Sequence, residues 1–573
     1  VTKDQKFVIG IDYGTLSGRA SVIRVSDGLE KGESVIVEYP HAVMDVTLDA
    51  ADGQKLPPEF ALQDPDDYIE VLKRAVPAAL RDADVTPDQI VGIGIDFTSA
   101  TVVAAKADGT PLCTLPEFRN RPHAWVKLWK HHGAQEQATR IVEVARERGE
   151  SWLGRYGNTI SSELLLPKVL ETLEEDREVY DATDVFANAL DWIVWKMTGT
   201  LVQSAGDSGY KRMLQDGKYP SREYLEALNP DFGGVFDEKM SAPVGPLGGK
   251  AGELTEEFAD LMGLNPGTAV AVGNIDAHVT AAAVKGVEAG QLTGILGTSA
   301  VYVVSGPELR EVPGMFGVVD GGIVDGLWGF EGGQTAVGDI FAWFVDHSVP
   351  PAYHQAAEKA RLGIHEYLTE LASNQQIGEH GLVALDWHNG NRSVLVDSDL
   401  SGLMIGTTLT TRPEDQYRAL LESTAFGARV IVDTFAEYGV EVNEFVAAGG
   451  LLKNKFYMQM LSDVTRLPVS IATSKHAGAL GSAVHAAVAA GEYGSVAEAA
   501  DAMGGKVPNA YTPSEKRAAR YDELYAEYLQ LHDYFGRGGN EVMHRLKAIR
   551  ARAAERAAKK AEKKAAKKAG SGS

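Results

Sequence analysis

The residues best placed to do chemistry are glycines, hydroxyls and carboxylates that follow short β-branched runs. In Phe7–Val25, F-V-I-G-I-D-Y-G-T-L-S-G-R-A-S-V-I-R-V, two such runs flank a turn holding Asp12, Gly14, Thr15 and Ser17, the pattern of a β-hairpin. Glycines at the tip can take positive φ and let backbone N–H groups converge on an anion. Asp12, at the end of the first run, is where a carboxylate would meet a phosphate-bound Mg²⁺, directly or through water. Most glycine-rich hairpins are only turns, but this one has a counterpart. Gln291–Ser305, Q-L-T-G-I-L-G-T-S-A-V-Y-V-V-S, repeats the order strand, turn, strand around Gly297, Thr298 and Ser299. Two phosphate-type hairpins about 280 residues apart predict two similar half-molecules facing one nucleotide.

Three more segments end in the same way. V-G-I-G-I-D-F-T (91–98) carries Asp96 and is followed by Ser99, while A-V-A-V-G-N-I-D (269–276) carries Asp276. In F-V-A-A-G-G-L-L-K-N (445–454) a strand leads into Gly449 and Gly450 and a helix starts near Asn454. The diglycine permits close approach of a flat ligand, and the helix start offers free N–H groups. Ligands of α/β proteins collect at this carboxyl edge of the sheet. Asp276 stands out because an acid in so apolar a stretch needs a partner or a purpose. By residue type alone, Asp96 could equally cap a turn, Lys211 is a solvated loop lysine, and Glu331 is an acid at a helix N-terminus. The chain has neither a Walker motif nor the glycine loop of protein kinases, so phosphate must be gripped by the hairpins. The adjacent His131 and His132 point to different helix faces, which favours a structural role over metal binding. Gly206-Asp207-Ser208-Gly209 matches the string of trypsin-like proteases. One cysteine and helical surroundings do not suit the disulfide-rich β-barrel that such a serine needs.

These residues must be held by a large scaffold. At 573 residues the chain exceeds what a single core serves, and two large domains are expected. Tyr68, Val71, Leu72 and Ala75 predict a helix within 60–85, and Trp125–Arg148 reads as helical. Two more helices fall within 162–198, with Trp192, Ile193, Trp195 and Met197 as core. The turn-rich Gly263-Leu264-Asn265-Pro266-Gly267 suggests the domain boundary. That gives an N-terminal domain (1–266), a C-terminal domain (267–500), C-terminal helices (501–550) and a basic Ala/Lys tail (551–573). The net charge is −24, although residues 545–569 hold 11 Lys or Arg against 2 Glu. A body this acidic repels nucleic acid. The most apolar stretch, 269–287, is interrupted by Asp276, His278 and Lys285, which argues against a membrane span. A lone cysteine, Cys113, and no apolar run of signal-peptide length after V-T-K-D-Q-K predict a cytoplasmic protein.

Two glycine hairpins with acids at strand ends point to an α/β protein of the actin-like ATPase (ribonuclease H-like) type, two domains with a cleft over ATP. The blocks I-G-I-D-Y-G-T-L-S-G-R-A (9–20), P-H-A-W-V-K-L-W-K-H-H (122–132), V-G-N-I-D-A-H (272–278), G-F-E-G-G-Q-T-A-V-G-D-I-F-A-W-F (329–344), L-D-W-H-N-G-N-R-S (385–393) and L-H-D-Y-F-G-R-G (531–538) carry a resemblance to the FGGY family of carbohydrate kinases. Within it the chain most closely resembles the kinases of L-ribulose. The resemblance implies ATP-dependent phosphorylation of that sugar in L-arabinose catabolism, with ATP as co-substrate and Mg²⁺ as cofactor. Another ketopentose or a polyol (D-ribulose, D-xylulose, ribitol) is the alternative, and a chaperone or filament subunit of the actin fold is the rival class. It further implies that Asp276 is the catalytic base and shares the metal with Asp12. Ser99, Lys211, Asp276 and Glu331 would line the sugar pocket. Gly14, Thr15, Ser17, Gly297, Thr298 and Ser299 would hold the ATP phosphates, and Gly449, Gly450 and Asn454 the adenosine. The partners implied are a small sugar and ATP, with monomer or homodimer left open. Two departures stand out: Ser99 replaces a familiar alanine, and Arg119-Asn120-Arg121-Pro122 replaces an acid and arginine pair.

Overall fold

The structure, a computed structural model, describes residues 5–570. Its two main sheets are built alike. In the first, Glu30–Glu38, Ser17–Arg24 and Phe7–Tyr13 run antiparallel, and Ile90–Phe97 and Ala269–Ala271 then add in parallel. In the second, Val318–Asp320, Trp328–Gln334, Ala300–Gly306 and Gln291–Leu296 run antiparallel, after which Glu444–Ala448 and Val469–Ala472 add in parallel. Each hairpin thus feeds a parallel edge, and each tip lies at the carboxyl end of its sheet.

Register brings the acids together. Gly10-Ile11-Asp12 and Gly94-Ile95-Asp96 lie side by side, Gly10 opposite Gly94 and Asp12 opposite Asp96. Asn274 pairs with Asp96 from the other side, so Asn274-Ile275-Asp276 reaches two residues further toward the cleft. Above these strands lies the helix Ala477–Ala489, AGALGSAVHAAVA, which has small residues where it meets the sheet. A Cβ on Gly10 would stand 1.8 Å from the Ala479 carbonyl oxygen, and one on Gly94 1.9 Å from that of Ser482. Glycine is therefore required in both strands for helix and sheet to touch. The same helix meets Asp276–Ala283, and one apolar cluster joins Val8 and Ile23 of the first sheet to Val446 and Ala448 of the second through Ala282, Ala283, Ala483 and Val484.

Several expectations need correction. The boundary does not fall at 266, because the strands after that turn, Ala269–Ala271 and Asn274–Ile275, pair with Ile90–Phe97 in the first sheet. The second sheet begins only at Gln291. A turn-rich segment marks a change of direction, whereas domain membership is set by a strand partner about 175 residues away. Residues 501–550 are not helices alone, since Lys506–Tyr511 is an edge strand of the second sheet, antiparallel to Val469–Ala472. Trp125–Arg148 is not one helix: Val126–Lys127 is a short strand and the helix runs only over Gln135–Arg148. Between Ala182 and Ala189 a strand, Val185–Asn188, interrupts the expected helices. The basic tail continues a helix from Val542 to Gly570. Residues 571–573 lie outside the described residues.

Candidate active site

A cavity of about 270 Å³ opens between the two halves, small for a ligand pocket and suited to a compact polar molecule. Of the expected residues, Thr15, Ser99, Lys211, Asp276, Thr298, Ser299 and Glu331 all line it. Gly14, Ser17 and Gly297 stand beside it in the two turns, where Gly14 N–H donates to Ser17 O (2.9 Å) and Gly297 N–H to Ser299 O (2.9 Å). Neither Gly14 nor Gly297 has positive φ, so the conformational reason for glycine at the tips does not apply. What the two share is space: a Cβ on Gly297 would meet only Ser299 O at 3.8 Å, and one on Gly14 only Ser17 O at 3.3 Å.

Gly449 does take positive φ, 101°, and a Cβ there would press on Leu296 O at 2.4 Å. The diglycine is thereby docked against the strand that leads into Gly297. Asn454 has its carboxamide engaged, its oxygen capping the Lys455–Thr465 helix at Tyr457 N–H (3.0 Å) and its nitrogen donating to Thr369 Oγ1 (3.2 Å).

Lys211 and Glu331 are not solvated surface groups. Lys211 closes the short helix Ala205–Lys211, and Glu331 lies within the strand Trp328–Gln334 rather than at a helix start. They are 6% and 7% exposed, and Lys211 Nζ donates to Glu331 Oε1 and Oε2 at 3.1 and 3.2 Å across the two halves. His278 Nε2 meets Glu331 Oε2 at 2.6 Å. Burial alone would raise the Glu331 carboxyl, but the Lys211 ammonium and the His278 hydrogen bond hold it well below the usual carboxylate range. Burial pushes His278 down, which favours a neutral imidazole donating to that carboxylate.

Asp276 opens the helix Asp276–Ala283 and accepts from its neighbour's amide, Ala277 N–H, at 2.7 Å. Removal from water, with Asp12 and Glu331 adding negative charge, pushes its carboxyl up to about 7. Asp96 is fully buried. It is raised by burial and by Asp12, with a hydrogen bond from Ser482 opposing, and its Oδ1 has no hydrogen-bond partner. Asp96 is thus more than a turn cap, because its side chain faces Asp12 in register. A Cβ at Gly478, near the start of the covering helix, would stand 3.2 Å from Asp12 Cγ and Oδ2 and 3.5 Å from Asp96 Oδ1. Asp12, Asp96 and Asp276 lie near enough to add to the cost of one another's charge, Asp96 keeps an unpartnered buried oxygen and Arg19 stands beside Asp12 (3.4 Å). Carboxylate oxygens are the donors a hard divalent cation takes, although the three do not close to within 4.8 Å of one another.

Other residues of the cavity were not assigned a role from the sequence, although Trp129 and Arg392 stand in the blocks 122–132 and 385–393 that carry the resemblance. Glu163 and Arg392, 229 positions apart, pair across it at 3.1 Å, and Trp129 lines it while its indole N–H donates to Thr15 Oγ1 at 3.2 Å. Arg119 and Arg121 lie elsewhere: Arg119 donates to Ala50 O, and Arg121 pairs with Asp176 and Glu178. His131 is buried against Glu171, and His132 meets Ser162, so the pair is structural. Ser208 and Asp207 are wholly buried, which closes the protease reading.

The family models of the FGGY carbohydrate kinases match this chain twice, the N-terminal domain over residues 7–283 and the C-terminal domain over 292–490. The chain belongs to the FGGY family of carbohydrate kinases. The junction between the two matches falls where the second sheet begins, in agreement with the corrected boundary. A ribulokinase of Mycolicibacterium smegmatis is 55% identical over 548 residues, covering 96% of this chain and 97% of that one. A ribulokinase of Geobacillus thermodenitrificans is 51% identical over 560 residues, covering 96% and 99%. Among solved structures, gluconate kinase from Lactobacillus acidophilus superposes with a TM-score of 0.77 at 17% identity, over 93% of this chain and 99% of that one, a likeness of fold. FGGY membership makes the protein an ATP-dependent sugar kinase and sets aside the chaperone and filament reading. No helix among the described residues is long and apolar enough to cross a membrane.

Proposed function

We propose that this protein transfers the γ-phosphoryl group of ATP to the terminal hydroxyl of L-ribulose, giving L-ribulose 5-phosphate. The observation that carries the reading is identity of about half over nearly the whole length to several kinases named for ribulose. The geometry supports it, since one cavity joins a buried Lys211–Glu331 pair, Asp276 and the hydroxyls of both hairpin turns.

In this reading Ser99, Lys211 and Glu331 hold the sugar hydroxyls, and Asp276 takes the proton of the attacking one. A carboxyl pushed up to about 7 is well matched to a base working near neutrality. Turn amides and hydroxyls at Gly14, Thr15, Ser17, Gly297, Thr298 and Ser299 receive the phosphates from the two halves. Gly449 and Gly450, docked on the second hairpin, offer adenosine a surface without side chains. Asn454 acts there by fixing the helix rather than by offering a free amide. Asp12, Asp96 and Asp276 would hold Mg²⁺, which when bound neutralises charge on the phosphoryl oxygens. Approach of the two halves excludes water from the cavity. A buried, unpaired Cys113 supports a reducing, cytoplasmic setting.

The test is coupled ADP release over L-ribulose, D-ribulose, D-xylulose, ribitol and glycerol. L-Ribulose is expected to give the highest kcat/KM. A higher value with another acceptor assigns a different substrate, and ADP release without any acceptor dependence overturns the kinase reading.

A further inference from the structure

The Trp125–His132 segment and the helix behind it contain a charged group that phosphoryl transfer does not use. Lys168, in the helix Leu165–Glu175, is wholly buried. Its Nζ donates to the carbonyl oxygens of Ala100 and Leu128, each at 2.7 Å. The acid one turn along, Glu171, is already engaged by Lys127 (2.6 Å) and His131 (2.9 Å), so the Lys168 ammonium rests on two carbonyl dipoles. Burial pushes it down to about 7. Among the described residues no carboxylate pairs directly with it, Glu163 and Glu171 attracting it only from a distance. Burying such a cation is costly, and here what it secures is geometry.

One carbonyl belongs to a residue that lines the sugar cavity and the other to the neighbour of one. Ala100 lines that cavity beside Ser99 and has a φ of 47°, a left-handed conformation that is strained for a non-glycine residue and persists only where its surroundings enforce it. Leu128 precedes Trp129, which also lines the cavity and reaches Thr15 of the first phosphate turn. One ammonium therefore ties the Ser99–Ala100 wall to the Leu128–Trp129 wall.

We infer that Lys168 is a positioning residue for the acceptor: by clamping the Ala100 and Leu128 carbonyls it sets the gap between Ser99 and Trp129, and with it which ketopentose the cavity accepts. The inference rests on the sugar-kinase reading above. ATP meets the clamp only through Thr15, at the far end of the Trp129 hydrogen bond, so sugar binding depends on it far more than nucleotide binding does.

Steady-state kinetics on full-length Lys168→Met test this, since methionine approximates the volume and removes the donors. KM for L-ribulose is expected to rise at least about tenfold, while KM for ATP stays within about twofold and the melting temperature within a few degrees of the parent. The preference for L-ribulose over D-ribulose narrows at the same time. Should Lys168→Met fail to fold, Ala100→Gly loosens the same wall without straining a backbone that glycine tolerates. It should move the sugar KM the same way, with ATP unaffected. The inference is overturned if the sugar KM of the folded variant stays within twofold of the parent, or if both KM values rise together with a lost melting temperature. Kinetics of both variants are read with whichever acceptor the parent prefers, so failure of L-ribulose as substrate and failure of the clamp give separate results.

Discussion

Glu331→Gln tests the charge arrangement at the centre of the cavity. Glutamine keeps the shape of the side chain and removes its charge, leaving the Lys211 ammonium, 6% exposed, without the carboxylate that both 3.1 and 3.2 Å contacts reach. Breaking one partner of a buried pair costs about 3–5 kcal/mol, and the His278 hydrogen bond at 2.6 Å loses a charged acceptor as well. Lys211→Met alone strands the carboxylate and should cost a similar amount. In Lys211→Met/Glu331→Gln neither charge remains, so stability should recover by at least about 1.5 kcal/mol relative to the sum of the single losses, within the range measured for contacting residues. Sugar affinity should not recover, because the double variant lacks the groups that bind hydroxyls. The assay is urea unfolding of the four proteins beside their KM for L-ribulose and for ATP. If the single losses add to within about 0.5 kcal/mol in the double variant, the pair is not energetically coupled and the reasoning fails. If sugar affinity recovers with stability, the pair holds the halves together but does not bind the sugar.

Asp276→Asn should lower kcat with L-ribulose on the order of 10² to 10⁴ while the dissociation constant of ATP stays close to the parent value; a fall in kcat below about tenfold would reduce Asp276 to a binding acid and turn attention to Asp96. Gly14→Val and Gly297→Val should fold, because neither position has positive φ and a Cβ would meet a single carbonyl oxygen at each, 3.8 Å away at Gly297 and a tighter 3.3 Å at Gly14, yet each should weaken nucleotide binding at least tenfold by calorimetry. Affinity within about twofold in either variant would remove the phosphate role of that turn. The buried His485 imidazole, pushed by burial down to about 4 from 6.5, makes stability depend on pH. Between those values the unfolded chain binds a proton that the folded one does not, so this contribution is full above about pH 6.5 and lost as pH falls toward 4, by at most about 3 kcal/mol. His485→Leu should flatten the dependence of unfolding free energy on pH across that window, and an unchanged slope would refute the assignment.

Much of the site is legible because local pattern and covalent neighbourhood carry it. A β-branched run, a turn of small residues and a second β-branched run can hardly form anything but a hairpin, so Phe7–Arg24 and Gln291–Gly306 are found where their pattern places them. Acids at strand ends are likewise local features, and Asp12, Asp96 and Asp276 all sit at the carboxyl edge. Three matters were decided by tertiary structure alone. Which sheet Ala269–Ala271 joins depends on a hydrogen-bond partner at Gly92–Ile93, and a β-branched run pairs as readily with one parallel neighbour as with another. Why Gly10 and Gly94 are glycines is invisible until the helix Ala477–Ala489 lies across the first sheet and its Ala479 and Ser482 carbonyls occupy the space of their missing Cβ atoms, and Gly478 of that helix in turn leaves room for Asp12 and Asp96. Glu163 with Arg392, and Lys168 with Ala100 and Leu128, meet across separations of 40 to 229 residues. Charge and polarity declare that each must find a partner, but the choice of partner is made by the packing of whole elements, which no local spacing encodes.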